Sequence, residues 1–214
     1  MNRFAAPLAL ATFALAAGAV PGPGTVLAQD RLPPIPKEQY TEAQKKAAEE
    51  FAAGRGYEVR GPFVPLMRSP EVMLRAKAMG DHLRYKSKLP ARVNEMVILL
   101  TAREWTQQYE WIAHYDLAIK AGLKPEIAAA IAEGRRPPGM AEDEEIAYEL
   151  SLEIHRTKRV SDATWKRAVA KFGEEGTIDL LGVNGYYTFL AMVMNAARTG
   201  LPKDVKEPLA RFPE

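Results

Sequence analysis

The 214-residue chain contains no cysteine. That absence removes thiolate nucleophiles, thiol–disulfide redox chemistry, cysteine–metal sites and a lipidated N-terminal cysteine together. Histidine is scarce, with three in all, and none of them stands in a spaced metal motif. No stretch alternates apolar and polar residues with period two, so no strand is predicted. No internal repeat at solenoid spacing is present. The glycine-rich stretch "GRGYEVRGP" lacks the lysine and the strand–loop–helix setting of a phosphate loop. Excess charge of one sign is also missing. The formal net charge is +2, with acids and bases interspersed, so no basic stripe argues for nucleic acid.

What is present is a balance of 47% hydrophobic and 26% charged residues, that of a globular chain with a core. A chain of this size can bury enough apolar surface to do without disulfides. The first thirty residues differ from the rest. Met1-Asn2-Arg3 gives a positive start, "FAAPLALATFALAAGAV" runs uncharged, and Val26-Leu27-Ala28 offers small residues for cleavage. That order predicts a signal peptide over 1–28, cut after Ala28, and a periplasmic or secreted mature protein with no stable membrane span. Residues 29–68 are expected to form an extended segment with one helix, 69–202 a helical domain and 203–214 a tail.

The fold class predicted is all-α, with about eight helices. Thr41 and Gln44 form a capping box, and Gly54 is expected to close that helix. "GYEVRGPFVPLMRSP" reads as a structured loop. Ser69-Pro70-Glu71 supplies an N-cap, a first-turn proline and a first-turn acid for a helix running to about Ser87. In "PARVNEMVILLTAREW", Val93, Met96, Val97 and Leu100 make one apolar stripe, which Ile98 and Leu99 extend around the helix, so this is a core helix. Further helices follow in "YEWIAHYDLAIKAG", "KPEIAAAIAEG", "AEDEEIAYELSLEIHRTK" and "SDATWKRAVAKFG". The last, "TIDLLGVNGYYTFLAMVMNAARTG", carries Gly182 and Gly185 where a neighbour can approach closely, and it suits a subunit partner as well as the chain's own core.

Three residues carry the candidate chemistry. Glu95 sits within the apolar surface of its helix, where burial raises a carboxyl pKa unless a partner such as Arg92 or Arg103 offsets it. Glu110 and His114 are four apart and share a helix face, with Gln107 one turn earlier. A carboxylate beside an imidazole orients the ring and sets its tautomer. The ordinary alternative is a surface ion pair beside core aromatics. Glu110 and His114 offer only two metal ligands, so no metal is expected.

The spacing Glu95, Gln107, Glu110, His114 resembles the carboxymuconolactone decarboxylase branch of the alkylhydroperoxidase D-like superfamily. Redox members of that superfamily carry a Glu, eleven residues, Cys-x-x-Cys, three residues and a His. Here Glu95 and His114 hold the outer positions, while Gln107 and Glu110 stand where the cysteines would be. "REWTQQYEWIAHYDLAIKAGL" is similar to the cysteine-free members, and "YYTFLAMVMNAARTGLP" to the family's last helix, so the resemblance spans roughly Pro70 to Pro202. It implies a helical domain in a homotrimer or homohexamer and a cofactor-independent acid/base enzyme for a small organic acid or lactone. On that reading His114, oriented by Glu110, protonates or hydrogen-bonds a developing enolate. Glu95, kept protonated, relays the second proton, and an arginine such as Arg103 binds the substrate carboxylate. Thiol peroxidase activity is rejected for lack of cysteine. A non-catalytic helical ligand-binding or assembly protein, a related lyase, isomerase or hydrolase, and peroxide chemistry through a metal or haem stay open as alternatives.

Overall fold

A computed structural model describes residues 30–201 and 205–210. The expected signal peptide lies outside the described residues, as do parts of the expected tail. Among the described residues there are eight α-helices and no strand, and no helix is long and apolar enough to cross a membrane.

The hub is α4 (Ala91–Glu104). Val93, Met96, Val97, Ile98, Leu99 and Ala102 are all buried around it, so it packs against neighbours on nearly every side. Those neighbours are α5 (Gln108–Lys120), α6 (Pro125–Ala132), α7 (Glu142–Thr157) and α8 (Asp162–Ala197). Arg92, at the start of α4, pairs with Asp143 at 2.8 Å and with Glu144, in the acidic first turn of α7. It is therefore spent on a helix junction and does not meet Glu95.

Before the hub, α1 (Glu42–Arg55) opens with the expected capping box. Thr41 N–H donates to Gln44 Oε1 at 2.9 Å, and Gln44 N–H donates to Thr41 Oγ1 at 3.3 Å. It ends one residue beyond the expected glycine. The cap is Gly56, in the left-handed region at φ 73°. The expected loop at 56–70 contains a helical turn, α2 (Phe63–Leu66), whose Phe63, Pro65 and Leu66 are buried. Prolines at 62 and 65 obscured it, although a proline is tolerated in a first turn. In α3 (Pro70–Tyr85), Ser69 holds the N-cap position without a side-chain cap bond. The lead-in lies over the far end of the molecule, where Arg31 N–H donates to Ala197 O at 2.8 Å.

The α4–α5 corner is fastened from two sides. Asn195 on α8 donates to Trp105 O at 3.0 Å and accepts from Gln107 Nε2 at 2.7 Å. From the other side, the Gln108 amide grips the backbone of the buried Leu209. Its Nε2 donates to Leu209 O at 2.7 Å, and Leu209 N–H donates to its Oε1 at 2.9 Å. Arg103 Nη1 donates to Ala210 O at 2.6 Å, which takes it away from the role expected of it.

In α8 the expected break falls at Gly173, with φ 72° and ψ 173°. The second arm resumes at once rather than at Thr177. Gly182 does meet a close neighbour, Leu83, but Gly185 faces open space. The Gly173 backbone conformation is open to glycine almost alone. A Cβ there would touch nothing within 4 Å, so its cost is purely conformational. Gly173→Ala is expected to lower stability by about 1–3 kcal/mol in urea unfolding; no loss would show that the kink is not required.

Candidate acid/base site

The pinned corner sets the register between α4 and α5, and that register brings Glu95 opposite His114. His114 Nδ1 lies 2.6 Å from Glu95 Oε2, and Nε2 lies 3.5 Å from Glu110 Oε2. The three residues named from spacing therefore converge. Gln107 does not join them. It is the N-cap of α5, its Oε1 accepts from Tyr109 N–H at 2.8 Å, and its amide points to Asn195. A residue at a helix cap no longer follows the helical face that its sequence spacing suggests.

The two carboxyls differ in their surroundings. Glu95 keeps 15% of its side-chain exposure and makes the short bond to His114. A donor on Nδ1 facing Glu95 fixes the ring and leaves Nε2 directed at Glu110. Glu110 is 3% exposed, its Oε1 has no hydrogen-bond partner, and burial pushes its carboxyl pKa up, against the opposing pull of His114 and Arg84. Glu95 thus makes the closer contact to the imidazole, where the expectation put Glu110, because helical spacing within α5 cannot show which carboxyl reaches the ring from α4.

The array opens into a cleft of about 300 Å³. Arg55, Arg60 and Arg84 line it, together with Tyr57, Tyr85, Tyr109, Tyr186 and Tyr187. The Tyr187 ring meets His114 edge-on at 5.1 Å, and Tyr186 meets Tyr187 at 5.1 Å in the same manner. Burial drives the phenol pKa of Tyr187 well above its ordinary value, so it stays neutral. The Arg55 side chain is 3% exposed. Its Nε approaches Asp81 Oδ1 at 2.7 Å, without hydrogen-bond alignment, and its Nη2 has no hydrogen-bond partner. Arg84 Nε is likewise buried and without a partner. Burial disfavours the Arg84 charge, but the neighbouring Tyr187, Tyr85 and Glu95 more than offset this, and its pKa is raised.

The sequence missed these arginines. Arg84 carries one weak signal, its place one helical turn after Gly80 on α3, while Arg55 and Arg60 come from the N-terminal segment and have none. Of the other histidines, His82 meets Asp179 at 3.1 Å and His155 meets Thr101 at 3.3 Å, both away from the cleft. Among the described residues no group of three acids or histidines is arranged to hold a metal ion.

Helices thus pack around a buried Glu95–His114–Glu110 array that faces a cleft lined by arginines. The arrangement is consistent with an alkylhydroperoxidase D-like helical fold. Residues 70–147 match the model of the Carboxymuconolactone decarboxylase family. The matched stretch carries Arg84, Glu95, Glu110 and His114, and leaves out Arg55, Arg60, Tyr186 and Tyr187. It ends at Ala147, so the resemblance read in the last helix lies beyond it. No curated protein matches the chain.

The buried Glu110 carboxyl makes a thermodynamic statement. Its folded pKa is raised, so its contribution to stability is fully present below the unfolded value of 4.5 and is lost as pH climbs through the folded pKa. Glu110→Gln removes the group that titrates. Its melting temperature is expected to gain on the wild type as pH rises above 4.5; a constant difference across that range would show that Glu110 is not held in its neutral form.

Proposed function

We propose that the protein is a cofactor-independent acid/base enzyme acting on a small organic acid or lactone, in the manner of the carboxymuconolactone decarboxylase family. The observation that carries this reading is the Glu95–His114–Glu110 array opening into a cleft whose arginines hold buried nitrogens without hydrogen-bond partners, Nε and Nη2 of Arg55 and Nε of Arg84. A cleft for an uncharged ligand would leave those donors unanswered at an energetic cost. A passive binding protein has no need for a proton-bearing carboxyl beside an imidazole, and this favours catalysis over binding alone.

In a decarboxylation the bond between the substrate's α-carbon and its carboxylate breaks. The electron pair passes to an adjacent carbonyl, carbon dioxide leaves, and an enolate forms. Arg84 and Arg55 offer planar forks to a substrate carboxylate or to the developing enolate oxygen. Glu110 gives its proton to the carbanionic carbon, through His114 Nε2 where the geometry requires, and is reprotonated from solvent after release. Glu95 holds the ring with Nε2 facing the cleft. Isomerisation or lactone hydrolysis would draw on the same groups. The reading carries with it the expectation of a periplasmic or secreted protein, and of the homotrimer or homohexamer that the family resemblance implies.

The test is turnover of a panel of muconolactones and β-keto acids by the wild type and by Glu95→Gln, Glu110→Gln, His114→Ala and Arg84→Met, each checked for an intact melt. His114→Ala is expected to lose at least about 100-fold in kcat. Arg84→Met should act chiefly through a raised KM. Equal turnover in all five proteins would sink the assignment.

A further inference from the structure

A second hollow of about 390 Å³ runs along the seam between α3 and α8. Val72, Ala76, Met79, Gly185 and Phe189 line it, and Glu71 and Arg75 close one side by pairing with each other at 2.7 Å. On α3 its residues precede Gly80, and those of the acid/base cleft, Arg84 and Tyr85, follow it. One side chain lines both hollows: Tyr186.

Tyr186 is 4% exposed and stands against Gly80. A Cβ at residue 80 would lie 2.3 Å from its hydroxyl oxygen and 2.7 Å from Cζ, so the glycine makes room for the phenol. The ring is braced on its other side by Tyr187, edge-on at 5.1 Å, which in turn meets His114. The hollow beyond Tyr186 is apolar, whereas the cleft before it is cationic and polar.

We propose that Tyr186 is a specificity-determining partition. It ends the cleft at the length of a small acid, and the α3–α8 hollow behind it is a latent subsite for the apolar tail of a longer carboxylate. The inference rests on the reading of the cleft as a carboxylate site. With the ring in place, an apolar substituent pointing away from the arginines meets the phenol. With the ring removed, the same substituent runs past Gly80 into the hollow and is buried against Ala76, Met79 and Phe189.

The experiment measures the affinities of the full chain for 4-methylbenzoate and 4-butylbenzoate by calorimetric titration, and reads their ratio. The wild type is expected to prefer the methyl compound by about tenfold or more, since a few methylenes without a pocket clash rather than bind. Tyr186→Ala should shift the ratio toward the butyl compound by about tenfold or more, as buried methylenes each add affinity. Tyr186→Leu, which keeps more of the core filled, should move it in the same direction. Tyr186→Phe keeps the ring and should keep the wild-type ratio. Met79→Trp, at a position 44% exposed, should cancel the gain in the Tyr186→Ala background by filling the hollow.

An unchanged ratio in folded Tyr186→Ala and Tyr186→Leu would overturn the partition while leaving the carboxylate cleft standing. A Tyr186→Phe ratio as shifted as that of Tyr186→Ala would overturn it too, since the ring would then not be the barrier. Failure of the wild type to bind either acid would overturn both the partition and the reading it rests on.

Discussion

The short bond from His114 to Glu95 is the constraint around which the site is organised. It joins two helices, α4 and α5, that a tight corner turns against each other, and it spans their core-facing surfaces at 2.6 Å. An imidazole buried to 4% exposure is costly unless its nitrogens are answered. Glu95 answers Nδ1, and Glu110 stands opposite Nε2. Breaking such a pair by removing one partner leaves the other polar group unpaired in a poorly solvated place. The corner itself is secured by side-chain amides, those of Asn195, Gln107 and Gln108, which reach α8 and the Leu209 backbone. Neutral amides thus carry most of the corner, joined by Arg103 on the Ala210 carbonyl.

Two carboxyls flank one ring, and their environments separate them. Glu95 retains some solvent and a close partner. Glu110 lies deeper, with one oxygen unanswered, and burial lifts its pKa. That division of labour follows from depth rather than from residue type, since the same side chain serves at both positions. No cysteine stands before His114: Glu110 is a buried carboxyl, and Gln107 caps α5.

The helices were legible because their signals are local. A capping box at Thr41, prolines at first turns and an all-round apolar α4 each act over a few residues. Glu95, Glu110 and His114 were legible because two helices joined by a short corner bring spaced residues together predictably. What stayed hidden depends on long-range packing. Which carboxyl bonds the ring is decided between helices and not within one. Gln107 left the active face because the corner recruited it as a cap. Arg103 was drawn off by Ala210, more than a hundred residues away, and Arg55, Arg60 and Arg84 reach the cleft from segments whose spacing carries no common period. The α2 turn was masked by its own prolines.

The most direct measurement is nitrogen-15 NMR of the histidine rings, with His114 assigned by its loss in His114→Gln. A proton is expected on Nδ1, strongly downfield and slow to exchange, because that nitrogen faces the Glu95 carboxyl at 2.6 Å inside the fold. A bare Nδ1 with the proton on Nε2, or a ring proton exchanging as fast as that of the half-exposed His82, would contradict the arrangement on which the proposed chemistry depends.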